Sequence, residues 1–564
     1  MTNRPEDYTS RGFLTAAAAL AVLIVVSFIP PINAEGVTLR RASIIADVID
    51  HDAGKTEEQS AELPPEIDVA EFEVDLQQVA KQVAETTASA SPMGEATSAS
   101  WDGFQDLLPS EEDYYAEPLV QQSPTKSHGL PKVDYSDILP ADSLLTPIEV
   151  FGSDDGPMAR LYTKLLTGKP VRIAFMGDSF VEGDILTADL RELLQDTYAG
   201  GGAGFAPMAS PFTSYRQTIK TTSKGWTPYN IMQRKSTPEP LCNDFFVSGW
   251  VAKGSDGAST RWEMTTRRRH LDECQRARLL FIARHDTEVS VKINDGEAHS
   301  FSFAADDVVR QIVVENDSIQ SLEMIVESGG EGFTGYGAEF DNLQGVSLDN
   351  LSIRSNNGQA MFWSNASVNA QINTMRGYDL VILQYGLNIM QAERSNYSLY
   401  AEQVEKMIRY VESCFPEAAV LVLGVSDRSQ RNERGIEPMT VAVDLSQWQR
   451  QAAESCGAAF WNTYEAMQKL GGMKEFVANG WAGKDYTHIN YAGGKRIATS
   501  LYHALLQGAE RYAVAALKSL EPAKAVVSEE LTFTPQQPKI EIKIPTELVT
   551  SALQSDSTAL NRLQ

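Results

Sequence analysis

Four short stretches of this sequence carry side chains able to do chemistry together. The first is Gly177-Asp178-Ser179. It lies between an apolar run, Val171-Arg172-Ile173-Ala174-Phe175, and the helical apolar spacing of Ile185 to Leu194. A strand that gives way to a helix within a few residues puts its turn at the carboxyl edge of an open α/β sheet, where ligands bind. A serine at that corner is expected near the helix N-terminus, whose unpaired N–H groups would stabilise an oxyanion. Serine is also a favoured helix cap. Position by itself therefore leaves Ser179 open between cap and nucleophile.

A nucleophilic serine needs a base, and the base needs a partner that orients it. The chain has seven histidines. His51 and His128 lie in an acidic stretch, His270, His285 and His299 among short strands, and His503 among apolar neighbours of a helix. His488 stands apart in Gly483-Lys484-Asp485-Tyr486-Thr487-His488, a polar loop before the final helix, with Asp485 three residues upstream. A short turn can set that carboxylate beside the imidazole. Donors for a tetrahedral oxyanion are also needed. Asn388 in Gly386-Leu387-Asn388 follows a strand and could aim an amide N–H there, and Gly358 in Ser355-Asn356-Asn357-Gly358 could offer a backbone N–H. Asn and Gly after strands are ordinary turn formers, so each is weak alone.

The elements that must position these residues follow from periodicity. Leu380–Tyr385, Ala419–Val425 and Ala459–Trp461 read as strands; Ser398–Glu412, Val441–Ser455 and Ala492–Leu506 read as helices. Strands alternating with helices predict a parallel sheet covered on both faces. Residues 225–338 differ: short strands with turns such as Asn294-Asp295-Gly296 predict an antiparallel sandwich inserted into the α/β unit. The expected organisation is an N-terminal export segment at 1–34, a tether at 35–143, an α/β domain at 144–224 and 339–514, the β insert at 225–338, and a Pro-, Thr- and Glu-rich tail at 515–564.

The chain has 564 residues and a net charge of −27, which disfavours nucleic-acid binding because phosphates need a basic face. From Glu35 to Asp142 there are 23 acidic residues against 6 basic ones, in a Ser-, Thr-, Ala- and Pro-rich stretch read as disordered. Phe13 to Ile29 is uncharged and apolar, preceded by Arg4 and Arg11. An uncleaved signal-anchor is preferred here to a cleaved signal, with the following chain exported and held at the inner membrane. Cys242, Cys274, Cys414 and Cys456 permit the disulfides Cys242–Cys274 and Cys414–Cys456 or four scattered thiols; no CxxC suggests zinc. Gly200 to Phe205 lacks the Gly-Lys-Ser/Thr of a phosphate loop, and no Gly-x-Ser-x-Gly surrounds Ser179. The basic cluster Thr265 to His270 reads as a solvated loop rather than a contact for an anionic glycan.

Together, Ser179 in Gly-Asp-Ser, Gly358, Asn388 in Gly-x-Asn and Asp485-x-x-His488 resemble, in that order, the SGNH (GDSL-type) hydrolases. The resemblance spans Arg172 to Leu506, interrupted by the β insert. It implies an α/β, flavodoxin-like three-layer sandwich with an inserted antiparallel β-sandwich. It also implies an esterase mechanism with Ser179 as nucleophile, His488 as base then acid, and Asp485 as orienter. The implied oxyanion hole is the Ser179 N–H, Gly358 and Asn388. No cofactor or metal is implied. The insert, "GDILTADLRELLQ" and "GGAGFAP" look more specifically like bacterial peptidoglycan O-acetylesterases, in which a carbohydrate-binding-like module occupies that place. Phe180 departs from the His or Leu more often found there. The expectation is a periplasmic or otherwise extracytoplasmic cell-envelope esterase that removes O-acetyl groups from peptidoglycan or another glycan. Two alternatives stand: an O-acetyltransferase of the same fold, served by a membrane acyl-donor protein, and a non-catalytic glycan-binding protein.

Overall fold

The computed structural model describes residues 72–89, 98–100 and 145–519 except 434, together with the pairs 33–34 and 37–38. The apolar stretch 13–29, most of the acidic stretch and the tail beyond 519 lie outside the described residues. Among the described residues no helix is long and apolar enough to cross a membrane. The chain divides into two compact units, one through Ala504 and one from Leu505. In the second, the described residues continue the last helix to Ser519.

In chain order the longer helices are α1 (Leu76–Ser89), α2 (Pro157–Leu166), α3 (Thr187–Tyr198), α4 (Ala366–Arg376), α5 (Ser398–Cys414), α6 (Val441–Cys456) and α7 (Tyr491–Ser519), with two short helices, Thr463–Lys469 and Gly472–Ala478, between α6 and α7. One six-stranded sheet holds β1 (Glu149–Val150), β2 (Val171–Gly177), β3 (Val346–Asn350), β4 (Leu380–Gln384), β5 (Ala419–Leu423) and β6 (Ala459–Trp461). Its spatial order is β3-β2-β4-β5-β6-β1, with every pairing parallel except β6 with the edge strand β1. Leaving β1 aside, the parallel strands take the 2-1-3-4-5 order of flavodoxin-like sheets, so the chain reverses direction across the sheet between β2 and β4. Both central strands β4 and β5 are buried throughout, as Leu-Val-Ile-Leu-Gln and Ala-Val-Leu-Val-Leu require of strands covered on both faces. The helices cover them with apolar stripes. In α5, Tyr400, Val404, Met407, Ile408 and Val411 recur at helical spacing and are buried.

Between α3 and β3 the chain builds two sheets whose strands pair antiparallel, one of them extended by Ser98–Ser100, which pairs parallel with Val309–Ile319. One has five strands, in the order Ala298–Phe303, Thr287–Ile293, Ser321–Ser328, Ser259–Glu263 and Lys220–Lys224. The other centres on Cys274–Ala283, flanked by Val309–Ile319 and Phe333–Asp341. They share one core, in which Trp262, Phe281, Phe303, Phe333 and Phe340 meet Ile312, Val314 and Met324. The antiparallel pairing starts earlier than the sequence suggests, because Gly204–Pro207 already pairs with Phe333–Asp341. Buried charge joins this sheet to the parallel one. The Arg376 guanidinium, at the end of α4, binds Asp349 through Nε at 3.0 Å and reaches Asp341, while Arg278 pairs with Glu339 at 2.8 Å. Removing one partner of such a buried pair leaves an uncompensated charge, so the loss of any of these side chains is costly.

The acidic stretch is not uniformly without structure, which corrects the composition-based reading. Asp75 caps α1 by accepting from Gln77 N at 3.0 Å and Gln78 N at 3.1 Å. Val79 and Val83 are buried, α1 packs on α4 and α5, and Phe72 stacks on Trp363 with ring centroids 4.5 Å apart. The apolar residues at 72, 76, 79 and 83 form one stripe among polar neighbours, and composition averaged over the whole stretch conceals it. All four cysteines are free thiols, with Cys274 and Cys414 buried on separate elements, so the scattered-thiol reading holds over the paired one.

Candidate active site

The site forms where β2, β3, β4 and the loop before α7 end together. β2 carries Met176-Gly177 to the sheet edge, and Asp178 and Ser179 follow at once. Ser179 does not cap a helix. α3 starts only at Thr187, with Leu186 at its N-cap. Gly183 (φ 72°) and Asp184 (φ 67°) hold the intervening turn in left-handed conformations and delay the helix. The expectation that Ser179 borders an α-helix N-terminus is corrected by the same geometry.

Ser179 Oγ lies 3.0 Å from His488 Nε2, and His488 Nδ1 lies 2.7 Å from Asp485 Oδ2. The other Asp485 oxygen accepts from Thr487 N at 3.0 Å and from His488 N at 3.1 Å, a turn that fixes the carboxylate against its own loop. That loop is closed by Gly483 N donating to His488 O at 2.7 Å and by Asn490, whose side chain accepts from Ala492 N and Gly493 N at the start of α7. Partial burial pushes the Asp485 carboxyl up, but the hydrogen bonds from His488 and Thr487 outweigh it and hold the group below its ordinary value. An ionised Asp485 can only accept, so the tautomer that fits both contacts places a proton on His488 Nδ1 and leaves Nε2 to accept from Ser179.

The two further residues flank a common neighbour. Asn388 Nδ2 donates to Asp178 Oδ2 at 3.0 Å and to Asn356 O at 2.9 Å, and Gly358 N donates to Asn356 Oδ1 at 2.8 Å. Both sets of expected oxyanion donors are therefore occupied by Asn356 and Asp178 in this arrangement. The cause is local: an Asx turn at Asn356 captures the N–H two residues on. Gly358 has φ 98°, and a Cβ there would fall 2.3 Å from Met407 Sδ, so only glycine fits.

Sequence reasoning missed the groups that hold this site in place. Asp178 is fully buried; burial pushes its carboxyl up to about 7 against the opposing effects of the Phe180 N–H, His488 and Asn388. Asp184 is the node beneath the serine turn. Its Oδ1 accepts from Thr187 Oγ1 at 2.7 Å and Asn350 Nδ2 at 3.0 Å, while Oδ2 accepts from Arg216 at 2.9 Å and from Thr218. Arg191, with no exposed side-chain surface, pairs with it at 3.4 Å. Burial alone would push Asp184 up, but Arg216 and Arg191 hold it well below the carboxylate range. The Tyr491 hydroxyl donates to Gly183 O at 2.6 Å and ties the start of α7 to the same turn. The sequence does not mark this network, because Asp184 lies in the turn before α3 and its partners come from separate segments. Among the described residues no group of three His, Cys, Asp or Glu could hold a metal ion.

The sheet order is that of an SGNH hydrolase-like fold. A solved peptidoglycan O-acetylesterase superposes with a TM-score of 0.53 at 21% identity, over 64% of this chain and 99% of that one. A family two carbohydrate esterase from Cellvibrio japonicus matches over 52% of this chain and 98% of its own, with a TM-score of 0.22 and 8% identity. Another, from Clostridium thermocellum in complex with cellohexaose, covers 45% of this chain and 92% of its own, with a TM-score of 0.22 and 9% identity. These two superpose too loosely to carry an argument. No protein-family model matches the chain, and no curated protein matches it.

Proposed function

We propose that this chain is a cell-envelope carbohydrate esterase that removes O-acetyl groups from peptidoglycan or another glycan. The observation that carries the reading is the continuous relay Ser179 Oγ to His488 Nε2, then His488 Nδ1 to Asp485 Oδ2. In the first half-reaction Ser179 Oγ attacks the acetyl carbonyl as His488 takes its proton, and Asp485 stabilises the imidazolium. The tetrahedral oxyanion takes the Ser179 N–H, with Gly358 released from Asn356 and the Asn388 amide released from Asn356 and Asp178 to complete the hole. His488 then protonates the departing sugar oxygen. Water, activated by the same imidazole, hydrolyses the acetyl-enzyme to acetate and restores Ser179. The proposal extends to the architecture, an SGNH three-layer sandwich whose inserted antiparallel sheets serve as a glycan-binding module. It also extends to location: an exported chain held at the inner membrane by the apolar segment 13–29, reaching its polymer across the acidic stretch.

The test is acetate release from p-nitrophenyl acetate and from O-acetylated peptidoglycan by the full-length protein, beside Ser179→Ala and His488→Ala. Each variant is expected to lose at least about a thousandfold in kcat on both substrates. A wild type as inert as the variants rejects the esterase. Acetyl transfer to an added sugar in preference to water replaces hydrolysis with transferase chemistry.

A further inference from the structure

The rim of the site carries an aromatic surface that the triad does not use. Tyr215 is the most exposed large hydrophobic side chain among the described residues, at 68%. Its ring lies 6.4 Å from that of Phe212, tilted by 35°, and Phe212 in turn packs edge-on against buried Trp250 at 6.0 Å. The Arg354 guanidinium sits over the Phe212 ring, 4.3 Å from its centroid. Arg354 is held there by Glu182, with Nε donating at 2.6 Å, and its side chain remains 53% exposed.

Each part of this surface is fastened to a different loop of the site. Glu182 is three residues after Ser179 in the serine turn. Arg354 stands just before Asn356 and Gly358. Tyr491, three residues after His488, donates to Gly183 O and lies 3.2 Å from the backbone carbonyl of Tyr215. Arg216, next to Tyr215, is anchored on Asp184. An isolated exposed tyrosine needs no explanation. One whose backbone is pinned between the nucleophile turn and the histidine loop, beside a cation stacked on a second ring, is positioned for a ligand.

We infer that Tyr215, with the Phe212–Arg354 pair beside it, is the platform on which a pyranose ring of the glycan rests while its acetyl ester reaches Ser179. The axial C–H face of a pyranose is apolar and slightly positive, and it complements the electron-rich face of an aromatic ring. The Arg354 guanidinium, 4.3 Å above the Phe212 ring centroid, supplies N–H donors beside the platform for ring hydroxyls. The inference rests on the glycan-esterase reading above, and makes Tyr215 a specificity determinant of that site.

The experiment compares full-length wild type, Tyr215→Ala and Tyr215→Phe on solubilised O-acetylated peptidoglycan strands and on p-nitrophenyl acetate. Tyr215→Ala is expected to lose at least about tenfold in kcat/KM on strands, mainly through KM, and at least about tenfold less than that on the small ester. Tyr215→Phe, which keeps the ring, restores activity on strands to within about threefold. Equal losses on both substrates, or no loss on strands, overturn the platform. If wild type cleaves p-nitrophenyl acetate but not the strands, the peptidoglycan reading fails, and the platform is then read by binding. Ser179→Ala protein is titrated with de-O-acetylated strands, with and without Tyr215→Ala. Binding weakened at least about tenfold by the second substitution sustains the platform; equal binding, or none by either protein, rejects it.

Discussion

Asn388 and Asp178, 210 positions apart in sequence, are joined by a 3.0 Å hydrogen bond from the Asn388 amide to a fully buried carboxylate. The bond couples the segment after β4 to the residue before Ser179. Because Asn388 also donates to Asn356 O, one amide links the serine turn to the loop of Gly358. The serine turn, the segment after β4 and the loop of Gly358 are thus tied through one side chain.

Asp178 makes the stability of the fold pH-dependent in a defined sense. Burial raises its carboxyl from 3.8 to about 7, above its unfolded value. Below about pH 4 both states are protonated; between there and pH 7 only the folded state keeps the proton. Its contribution is thus full at low pH and lost as pH rises through 7. Urea unfolding of wild type and Asp178→Asn from pH 4 to 8 should show the wild-type advantage shrinking by about 1 kcal/mol per pH unit across that window. A pH-independent difference would show that Asp178 is ionised throughout.

Asp184→Asn should be among the most damaging substitutions near the site. It leaves Arg191 and Arg216 facing a neutral amide in a fully buried setting. The expected cost is on the order of 3–5 kcal/mol in urea unfolding. Since Asp184 is held well below its unfolded value, the stabilisation it gives is present at neutral pH and lost as pH falls through the folded value, so the gap between wild type and variant narrows in acid.

Asp485→Asn should keep the loop but weaken the relay. The amide can still accept from Thr487 N, yet it cannot balance an imidazolium as a carboxylate does. A fall of about a hundred- to ten-thousandfold in kcat on p-nitrophenyl acetate is expected, smaller than that of His488→Ala. The lower end fits a carboxylate that is 51% exposed, where water supplies part of the lost stabilisation.

Val83→Asp should release α1 from α4 and α5 without dismantling the sheet. A carboxylate forced into the site of a side chain only 8% exposed costs more than the docked helix gains. Limited proteolysis of the full-length protein is expected to cut within 72–89 in the variant and to spare that segment in wild type. Equal protection in both would mean that α1 is held by Phe72 on Trp363 instead.

How far the sequence reached can be judged strand by strand. Ala459–Trp461 and the starts of β2, β4, β5, α5 and α6 were legible to the residue, because buried parallel strands are unbroken apolar runs and their helices repeat at 3.6. Asp485 and His488 were legible as a pair, since three residues of chain suffice to bring carboxylate and imidazole together. Edge strand β3 was not: Val-Ser-Leu-Asp-Asn has no apolar run, and it is ordered by pairing with β2 and by Arg376 on Asp349.

The sequence by itself determined which residues could form a nucleophile, a base and its orienter, and the order of the elements that carry them. Tertiary structure alone decided that Ser179 and His488, 309 positions apart, stand 3.0 Å from one another. It also decided that Asp184 gathers Thr187, Arg191, Arg216, Thr218 and Asn350, and that Asn356 occupies the N–H of Gly358. The physical reason is range. Periodicity and turn chemistry act over a few residues, whereas ion pairs and hydrogen bonds between distant segments become favourable only once the sheet has excluded water around them.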